Sequence, residues 1–351
     1  MINNTIILDD INEIINNSTS SIPFLKNKSI LITGANGMLS SYLVATFLKL
    51  NQNLNTNIKI YALVRNKEKF YSKMGIFQEE NITVIEQDIC KKIDLEEKID
   101  IIFHFASSSN PQTILNSPID IIKANTLGTY NVLEFSKKNK SYVVFSSTRE
   151  IYGKTNELEA IKETDYGILD PSDLRSCYPE SKRMAENMMI CYNYQYNIPY
   201  CILRIAHSYG PGMIINNDGR IMADLIGNIV NRQDIILKSK GEAKRSFCYV
   251  SDAITGVLIA MSKEKNQIYN LSNEKEEITI KELANLMSSM YKDKQISVIY
   301  NIPKEQSKGY VSFKRTPLDT SKIEKYGWTP KVKLQEGITK TVQFFENINH
   351  Y

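Results

Sequence analysis

The chain has 351 residues, 42% apolar and 23% charged, which is ordinary for a globular protein with room for one large or two modest domains. Lysine and arginine number 43 against 39 acidic residues, and the resulting charge of +4 is too weak to argue for nucleic acid, though it suits a small anionic ligand. Apolar runs are strand-sized, so no transmembrane span is expected, and the acidic start MINNTIILDDINEIINN lacks the basic region of a secretory signal.

Residues 1–28 read as an extension. ILDDINEIINN has helical spacing, with Asp9 or Asp10 starting the turn, and packs on a domain edge. Ile30, Leu31, Ile32 and Thr33 then run straight into Gly34-Ala35-Asn36-Gly37, and the helical pattern Met38, Leu39, Tyr42, Leu43 follows at once. Strand, glycine turn and helix in that order form the phosphate-binding start of a dinucleotide fold. Gly34 permits the tight turn; Gly37 lets the backbone approach a pyrophosphate facing the helix N-terminus. The Asn-rich segment Asn51 to Asn57 reads as a solvated loop.

Further strands are expected at Lys59–Arg65, Ile82–Asp88, Ile99–Ala106, Tyr142–Ser147 and Tyr200–Ile205, with helices at Asp120 to about Lys138 and Tyr178 to about Tyr196. The strands are apolar runs rather than alternating patterns, which suits an α/β doubly wound parallel sheet covered on both faces. From about Met213 the rhythm changes. Helices are expected at Ile221–Val230, Ala253–Met261, Ile280–Tyr291 and Leu334 to about Asn347, with short strands at Ile235–Lys238, Phe247–Val250, Ile268–Leu271 and Ile296–Tyr300. The division expected is therefore the extension 1–28, a dinucleotide-binding domain 29–212, and a mainly substrate-binding smaller α/β lobe 213–351 with possible crossings back. A small ligand would sit in the cleft between them. Five cysteines without CxxC spacing read as reduced thiols of a cytoplasmic protein, and His104, His207 and His350 are too scattered for a metal site.

The chemistry centres on Tyr178-Pro-Glu-Ser-Lys182. Positions i and i+4 share a helix face, and a cation beside a phenol stabilises phenolate, lowering its pKa towards neutral. Tyr178 is then a general acid or base. Upstream lies Ser146-Ser-Thr-Arg-Glu-Ile-Tyr-Gly153. With the glycine turn and strand order, these motifs resemble the extended short-chain dehydrogenase/reductase family, in its nucleotide-sugar epimerase/dehydratase branch. The resemblance runs from Ser29 to about Asn347 through TGANG, Asp88-Ile89, the HFA strand, SSTREIYG, YPESK, RIAHSYGPG, RSFCYVSD and RTPLDTSKIEKYGW.

The resemblance implies a Rossmann fold and a set of roles. Thr148 would hydrogen-bond the oxygen of the reacting sugar carbon. Tyr178 would remove the hydroxyl proton as a hydride leaves to the nicotinamide, and Lys182 would hold the nicotinamide ribose. Gly34, Asn36, Gly37, Met38, Leu39, Asp88, Ile89, Phe105, Ala106 and Ser107 would line the cofactor, with Asp88 on the adenine. Asn125 would support the site. Arg245 would bind the substrate diphosphate, where its fork fits phosphate geometry. Ser109, Arg149, His207 and Arg220 would complete the substrate contacts, and a homodimer through the helices of Asp120 and Tyr178 is implied.

Several positions depart from the pattern. Ser40 replaces the third glycine of GxxGxxG. Arg65 stands where an acid would bind the ribose of NAD, which favours NADP over NAD. Arg149 replaces the aspartate that 4,6-dehydratases use to protonate a leaving hydroxyl, while Glu150 remains as second acid/base; the UDP-glucuronate decarboxylases look closer. Arg149 then either engages a substrate carboxylate or forms a structural ion pair. His207 replaces an asparagine, and both it and His104 also read as structural. The expectation is a redox-neutral NAD(P)-dependent enzyme of a nucleotide-diphosphate sugar, epimerase or decarboxylase, working through hydride transfer at C4 and a 4-ketone. A net reductase, a 4,6-dehydratase and a non-enzymatic cofactor-binding regulator are the alternatives.

Overall fold

The computed structural model describes residues 1, 4–75, 81–107, 109–155, 158–216, 218–302 and 315–349; His350 lies outside them. Helices α1 (Thr5–Asn17) and α2 (Ile22–Leu25) precede β1 (Ser29–Thr33), α3 (Met38–Leu54), β2 (Lys59–Val64), α4 (Lys67–Met74) and β3 (Ile82–Glu86). The second half runs β4 (Ile101–His104), α5 (Pro111–Asn116), α6 (Pro118–Asn139), β5 (Tyr142–Thr148), α7 (Cys177–Tyr196) and β6 (Tyr200–Ile205). Beyond it come β7 (Ser208–Tyr209), α8 (Ile221–Val230), β8 (Ile235–Leu237), β9 (Lys244–Arg245), β10 (Cys248–Tyr249), α9 (Val250–Met261) and β11 (Gln267–Leu271). β12 (Ile278–Thr279), α10 (Ile280–Met290), β13 (Val298–Tyr300), α11 (Ser321–Glu324) and α12 (Leu334–Asn349) complete the chain.

Seven strands form one sheet in the order β11-β6-β5-β4-β1-β2-β3. Every pairing in it is parallel; Ile32 of β1 lies between Ala62 of β2 and Phe103 of β4. Strand side chains alternate between two faces, and both faces are covered. Ile30, Ile32, Ile60 and Ala62 join a core built with α1, α3 and α9, whereas Leu31, Tyr61, Leu63 and Ile102 join one built with Val132, Leu133, Ala185 and Met189 of α6 and α7. That double burial is why the strands read as unbroken apolar runs. The strand order reverses between β1 and β4, so the loops leaving these two strands open a crevice, the place where such sheets hold ligands.

Among the described residues three two-stranded sheets stand beside the large one, β10-β7, β12-β9 and β13-β8. The later chain also crosses back: β11 joins the large sheet beside β6, α9 packs into the core beneath it, and Leu318 bridges to Ile161. The extension is held by a buried carboxylate. Asp10 accepts from the hydroxyls of Tyr42 (2.7 Å) and Tyr249 (2.9 Å) and from Lys340 Nζ (3.2 Å), which ties α1 to α3, β10 and α12.

Two local expectations need correction. The first helix starts at Asn4, not at Asp9 or Asp10: the Asn4 side chain accepts from the N–H groups of Ile6 and Ile7, leaving Asp10 free to face the core. Asn51 to Leu54 are the last turn of α3 rather than loop, and the Asn51 amide bonds Thr56 Oγ1 at 2.7 Å and Ile58 N–H at 2.8 Å. All five cysteines are free, and no helix among the described residues is long and apolar enough to cross a membrane.

Candidate active site

The glycine turn requires its glycines. Gly34 has φ +66°, and a Cβ there would lie 2.7 Å from Ala106 Cα and 3.0 Å from its N, so any side chain meets the backbone leaving β4. Gly37 N–H closes the turn on Gly34 O at 2.9 Å and Gly37 then caps α3 without a side-chain bond. Asn36 Oδ1 is buried and unpartnered, while its Nδ2 donates to Asn66 O at 3.2 Å. A narrow backbone cradle at an uncapped helix N-terminus fits a diphosphate. Ser40 is buried, with its Oγ 3.5 Å from where a Gly37 Cβ would stand, so serine occupies the glycine position without forcing the turn apart.

The other cofactor candidates ring this turn. Met38 and Leu39 are half-buried against the core, and Arg65 is exposed at the end of β2. Asp88 is exposed and accepts the Cys90 N–H at 2.9 Å, whereas Ile89 is buried. The N–H groups of Phe105 and Ala106 both donate to Thr33 Oγ1 at 3.2 Å. Thr33 Oγ1 is also 2.9 Å from His104 Nδ1, and His104 Nε2 is 3.0 Å from Thr129 Oγ1. Burial, with Lys182 nearby, holds His104 down to about 3, so it is a neutral link between strand and helix. Ser107 and Ser109 are exposed beyond β4. Their neighbour Asn110 donates to Asp218 at 3.1 Å, joining this loop to Arg220, which pairs with the same carboxylate.

β5 carries the chemical end of the site. Thr148 closes it, and its Oγ1 accepts the Glu150 N–H at 3.2 Å at the start of a short turn, Arg149–Tyr152. Tyr178 enters from the first turn of α7 and is buried, and the Thr148 side chain acts to lower its phenol. Asn125 Nδ2 donates to Ser181 Oγ at 2.9 Å and holds α6 to α7. Lys182 Nζ donates to Ser146 O at 2.7 Å and lies 4.5 Å from the Phe145 ring centroid.

The electrostatics differ from the sequence expectation. Burial pushes the Tyr178 phenol well above its usual range and Glu150 adds to this, while Thr148, Arg175 and Arg220 pull it back. Lys182 does not bring it towards neutral, because burial lowers Lys182 itself to about 7 against the opposing pull of Glu186. One turn along α7, Glu186 accepts from Arg204 (2.7 Å) and from the Ser147 hydroxyl. Arg204 Nη1 reaches Tyr152 Oη at 2.8 Å, and Tyr152 in turn donates to Asn270 at 2.6 Å.

Arginines crowd the other side of Tyr178. Arg149 Nη2 donates to Thr316 O at 3.0 Å, and its Nε is buried without a partner. Burial, then Arg315 and Arg245, lower Arg149 to about 10. Arg245 is lowered too, by burial and Arg315. Arg315 reaches Glu274 at 2.5 Å and Glu277 at 3.0 Å. His207 has φ +44°, packs 6.0 Å from Phe247, and buries an unpartnered Nε2. Burial and four surrounding arginines (Arg149, Arg245, Arg315, Arg175) push it well below its usual range, so it is a neutral imidazole inside a cationic group.

Thr148, Glu150 and Tyr178 therefore meet Arg149, His207, Arg220 and Arg245 in one place. The same place holds two arginines the sequence reading did not assign. Arg315 opens the RTPLD motif, and Arg175 lies three residues before Tyr178. Both positions were legible as motif neighbours, but their partners come from distant segments.

The NAD dependent epimerase/dehydratase family profile matches residues 30–272. The chain is 32% identical over 316 residues to UDP-glucuronic acid decarboxylase 6 of Arabidopsis thaliana, covering 90% of this chain and 88% of that one. It is 31% identical over 319 residues to UDP-glucuronic acid decarboxylase 1 of Danio rerio, covering 91% and 72%. Among solved structures it resembles UDP-glucose 4-epimerase of Thermotoga maritima with UDP-glucose (TM-score 0.76, 23% identity, 92% and 99% covered). It also resembles UDP-glucuronic acid 4-epimerase of Bacillus cereus with UDP-glucuronic acid and NAD (TM-score 0.76, 21% identity, 91% and 99% covered). The profile match over most of the chain and relatives above 30% identity along nearly its whole length lead to one conclusion: this chain belongs to the NAD dependent epimerase/dehydratase family, and it is an NAD(P)-using enzyme of the nucleotide-sugar type.

Proposed function

We propose that the enzyme decarboxylates a UDP-linked uronic acid, of the UDP-glucuronate class, through a 4-keto sugar. The observation that carries this is Arg149: a half-buried arginine with a buried, unpartnered Nε, next to Glu150 and grouped with Arg245 and Arg315, where a dehydratase would need an acid. A cation there suits a substrate carboxylate and cannot protonate a leaving hydroxyl.

Bound NAD(P) supplies the hydride acceptor and later the donor. Tyr178 takes the proton of the C4 hydroxyl, and Thr148 orients that oxygen. The 4-ketone makes the sugar a β-keto acid: the C5–C6 bond breaks, CO₂ leaves, and its electron pair passes into the enolate at C4–C5. A proton from water would take the place of the lost carboxylate on C5, and the hydride held on the nicotinamide would go back to C4 as Tyr178 returns its proton to O4, which closes the cycle to a UDP-pentose. Arg245, assisted by Arg220, takes the diphosphate; Lys182 holds the nicotinamide ribose. Exposed Arg65, with no acid at that strand end, supports NADP over NAD as the cofactor.

Mass spectrometry of products from UDP-, GDP-, CDP- and dTDP-sugars with either cofactor tests this. UDP-glucuronate should lose the mass of CO₂, with NADP⁺ at least as effective as NAD⁺. Unchanged mass with inverted C4 makes the enzyme an epimerase, and loss of water makes it a dehydratase; either overturns the proposal. Arg149→Met should lower kcat/KM for the uronate about 30-fold, roughly 2 kcal/mol for a lost charged hydrogen bond. An undiminished rate removes Arg149 from the site.

A second copy of the chain is also part of this reading. Ile119, Leu127 and Tyr130 on α6 and Met184, Ile190 and Tyr194 on α7 are exposed, giving two adjacent helices an uncovered apolar face. Sedimentation should give about twice the chain mass of 40.2 kDa, and a monomer at micromolar concentration counts against it.

A further inference from the structure

Both oxygens of Glu150 accept from one guanidinium. Arg175 Nη1 is 2.7 Å from Glu150 Oε2 and Nη2 is 3.1 Å from Oε1. Arg175 sits in the turn Leu174–Ser176 directly before α7, and that turn is fixed by the Asp173 side chain, which accepts the Arg175 N–H at 3.0 Å. Glu150 comes from the turn after β5. The pair thus bridges the two elements that carry Thr148 and Tyr178. The neighbouring guanidiniums are engaged elsewhere: Arg149 on Thr316 O, Arg315 on Glu274 and Glu277. The side chains of Arg175 and Glu150 are 21% and 30% exposed, so the pair is open to a ligand rather than sealed in the core.

We propose that Arg175 is a positioning residue for Glu150: its two-point clamp sets the carboxylate beside Tyr178 as a hydrogen-bond acceptor, so that the 4-keto sugar is carried forward instead of released. A fork on a carboxylate fixes rotation as well as position, which a lysine's single ammonium does not. A carboxylate with both oxygens bonded to N–H donors still has lone pairs for a ring hydroxyl or a water, but it has no proton to give. Glu150 is then oriented by a residue that touches neither the sugar nor the cofactor. The proposal rests on the 4-keto intermediate of the preceding section.

The experiment uses the cofactor-loaded enzyme and the nucleotide sugar that the wild type converts. Three quantities are measured for Arg175→Met, Arg175→Lys, Glu150→Gln and the double variant Arg175→Met/Glu150→Gln: kcat and KM, the ratio of released 4-keto sugar to finished product, and the calorimetric Kd for UDP. Arg175→Met should lower kcat about 30- to 100-fold, raise the 4-keto fraction, and leave KM and Kd within about threefold. Arg175→Lys should recover roughly fivefold in kcat without restoring the product ratio. The double variant should be within about twofold of Glu150→Gln alone, because the clamp has nothing left to hold. A tenfold rise in KM with kcat intact makes Arg175 a substrate contact and overturns the proposal. So do additive losses in the double variant, or an unchanged product ratio. A wild type that gives neither 4-keto sugar nor product with any nucleotide sugar overturns the underlying reading, and this proposal falls with it.

Discussion

Replacing Tyr178 by phenylalanine is expected to lower kcat about 1000-fold, within the range that one acid–base group contributes, while KM for the nucleotide sugar stays within a few-fold. Tyr178 is buried against Thr148, and losing one hydroxyl changes the packing volume little. The arginines assigned to the diphosphate come from other segments and are untouched. The pH profile provides the second readout. Burial and Glu150 hold the phenol well above its usual range, so its deprotonated fraction grows as pH rises, and the wild-type rate should climb through the acid and neutral range. Lys182, lowered to about 7, gives up its charge as pH passes that value, which removes the cation assigned to the nicotinamide ribose and levels the curve. In Tyr178→Phe the climb should vanish. A variant that keeps the wild-type rate, or the same slope at a lower rate, removes Tyr178 from proton transfer.

Glu186→Ala is expected to cost about 3–5 kcal/mol of unfolding free energy, the loss typical when one partner of a buried ion pair is removed. The side chains of Arg204 and Glu186 are only 8% and 7% exposed, and Glu186 also takes the Ser147 hydroxyl. Truncation leaves the Arg204 charge buried without its counterion. Denaturant unfolding measures this, and a loss under about 1 kcal/mol would show that water reaches the pair. Glu186→Leu with Arg204→Met should recover part of the loss, since replacing both charges avoids the uncompensated one. The variant also reports on the site. Glu186 raises Lys182 against burial, so without it Lys182 should lose its proton at still lower pH, and the levelling of the rate profile should move the same way.

How much of this was legible in the residues follows from the range of the forces involved. The strand at Tyr200–Ile205 and the helix at Ile221–Val230 matched their expected bounds, because long apolar periodicity reports local structure directly. The short strands β7, β9 and β12 were missed, since two-residue pairings have no periodicity to read. The start of α1 was placed several residues late: Asp9 and Asp10 look like caps in isolation, but Asn4 caps the helix and Asp10 is recruited by Tyr42, Tyr249 and Lys340 from remote parts of the chain.

The same division runs through the site. The turn at Gly34, the spacing from Tyr178 to Lys182 and the order of the motifs are local or linear properties; they determined the fold class and the family, and the roles proposed for the cofactor end and for Tyr178 rest on them. What each charge does was decided only by packing. Tyr178 and Lys182 share a helix face, yet burial moves the phenol up and the ammonium down, because desolvation of each charged form outweighs the pull of the charges around it. Arg175 and Arg315 became part of the site when folding set them against Glu150, Glu274 and Glu277. Sequence spacing carries backbone geometry; only the tertiary structure sets distance and dielectric between charges, and on those two quantities the chemistry of this pocket depends.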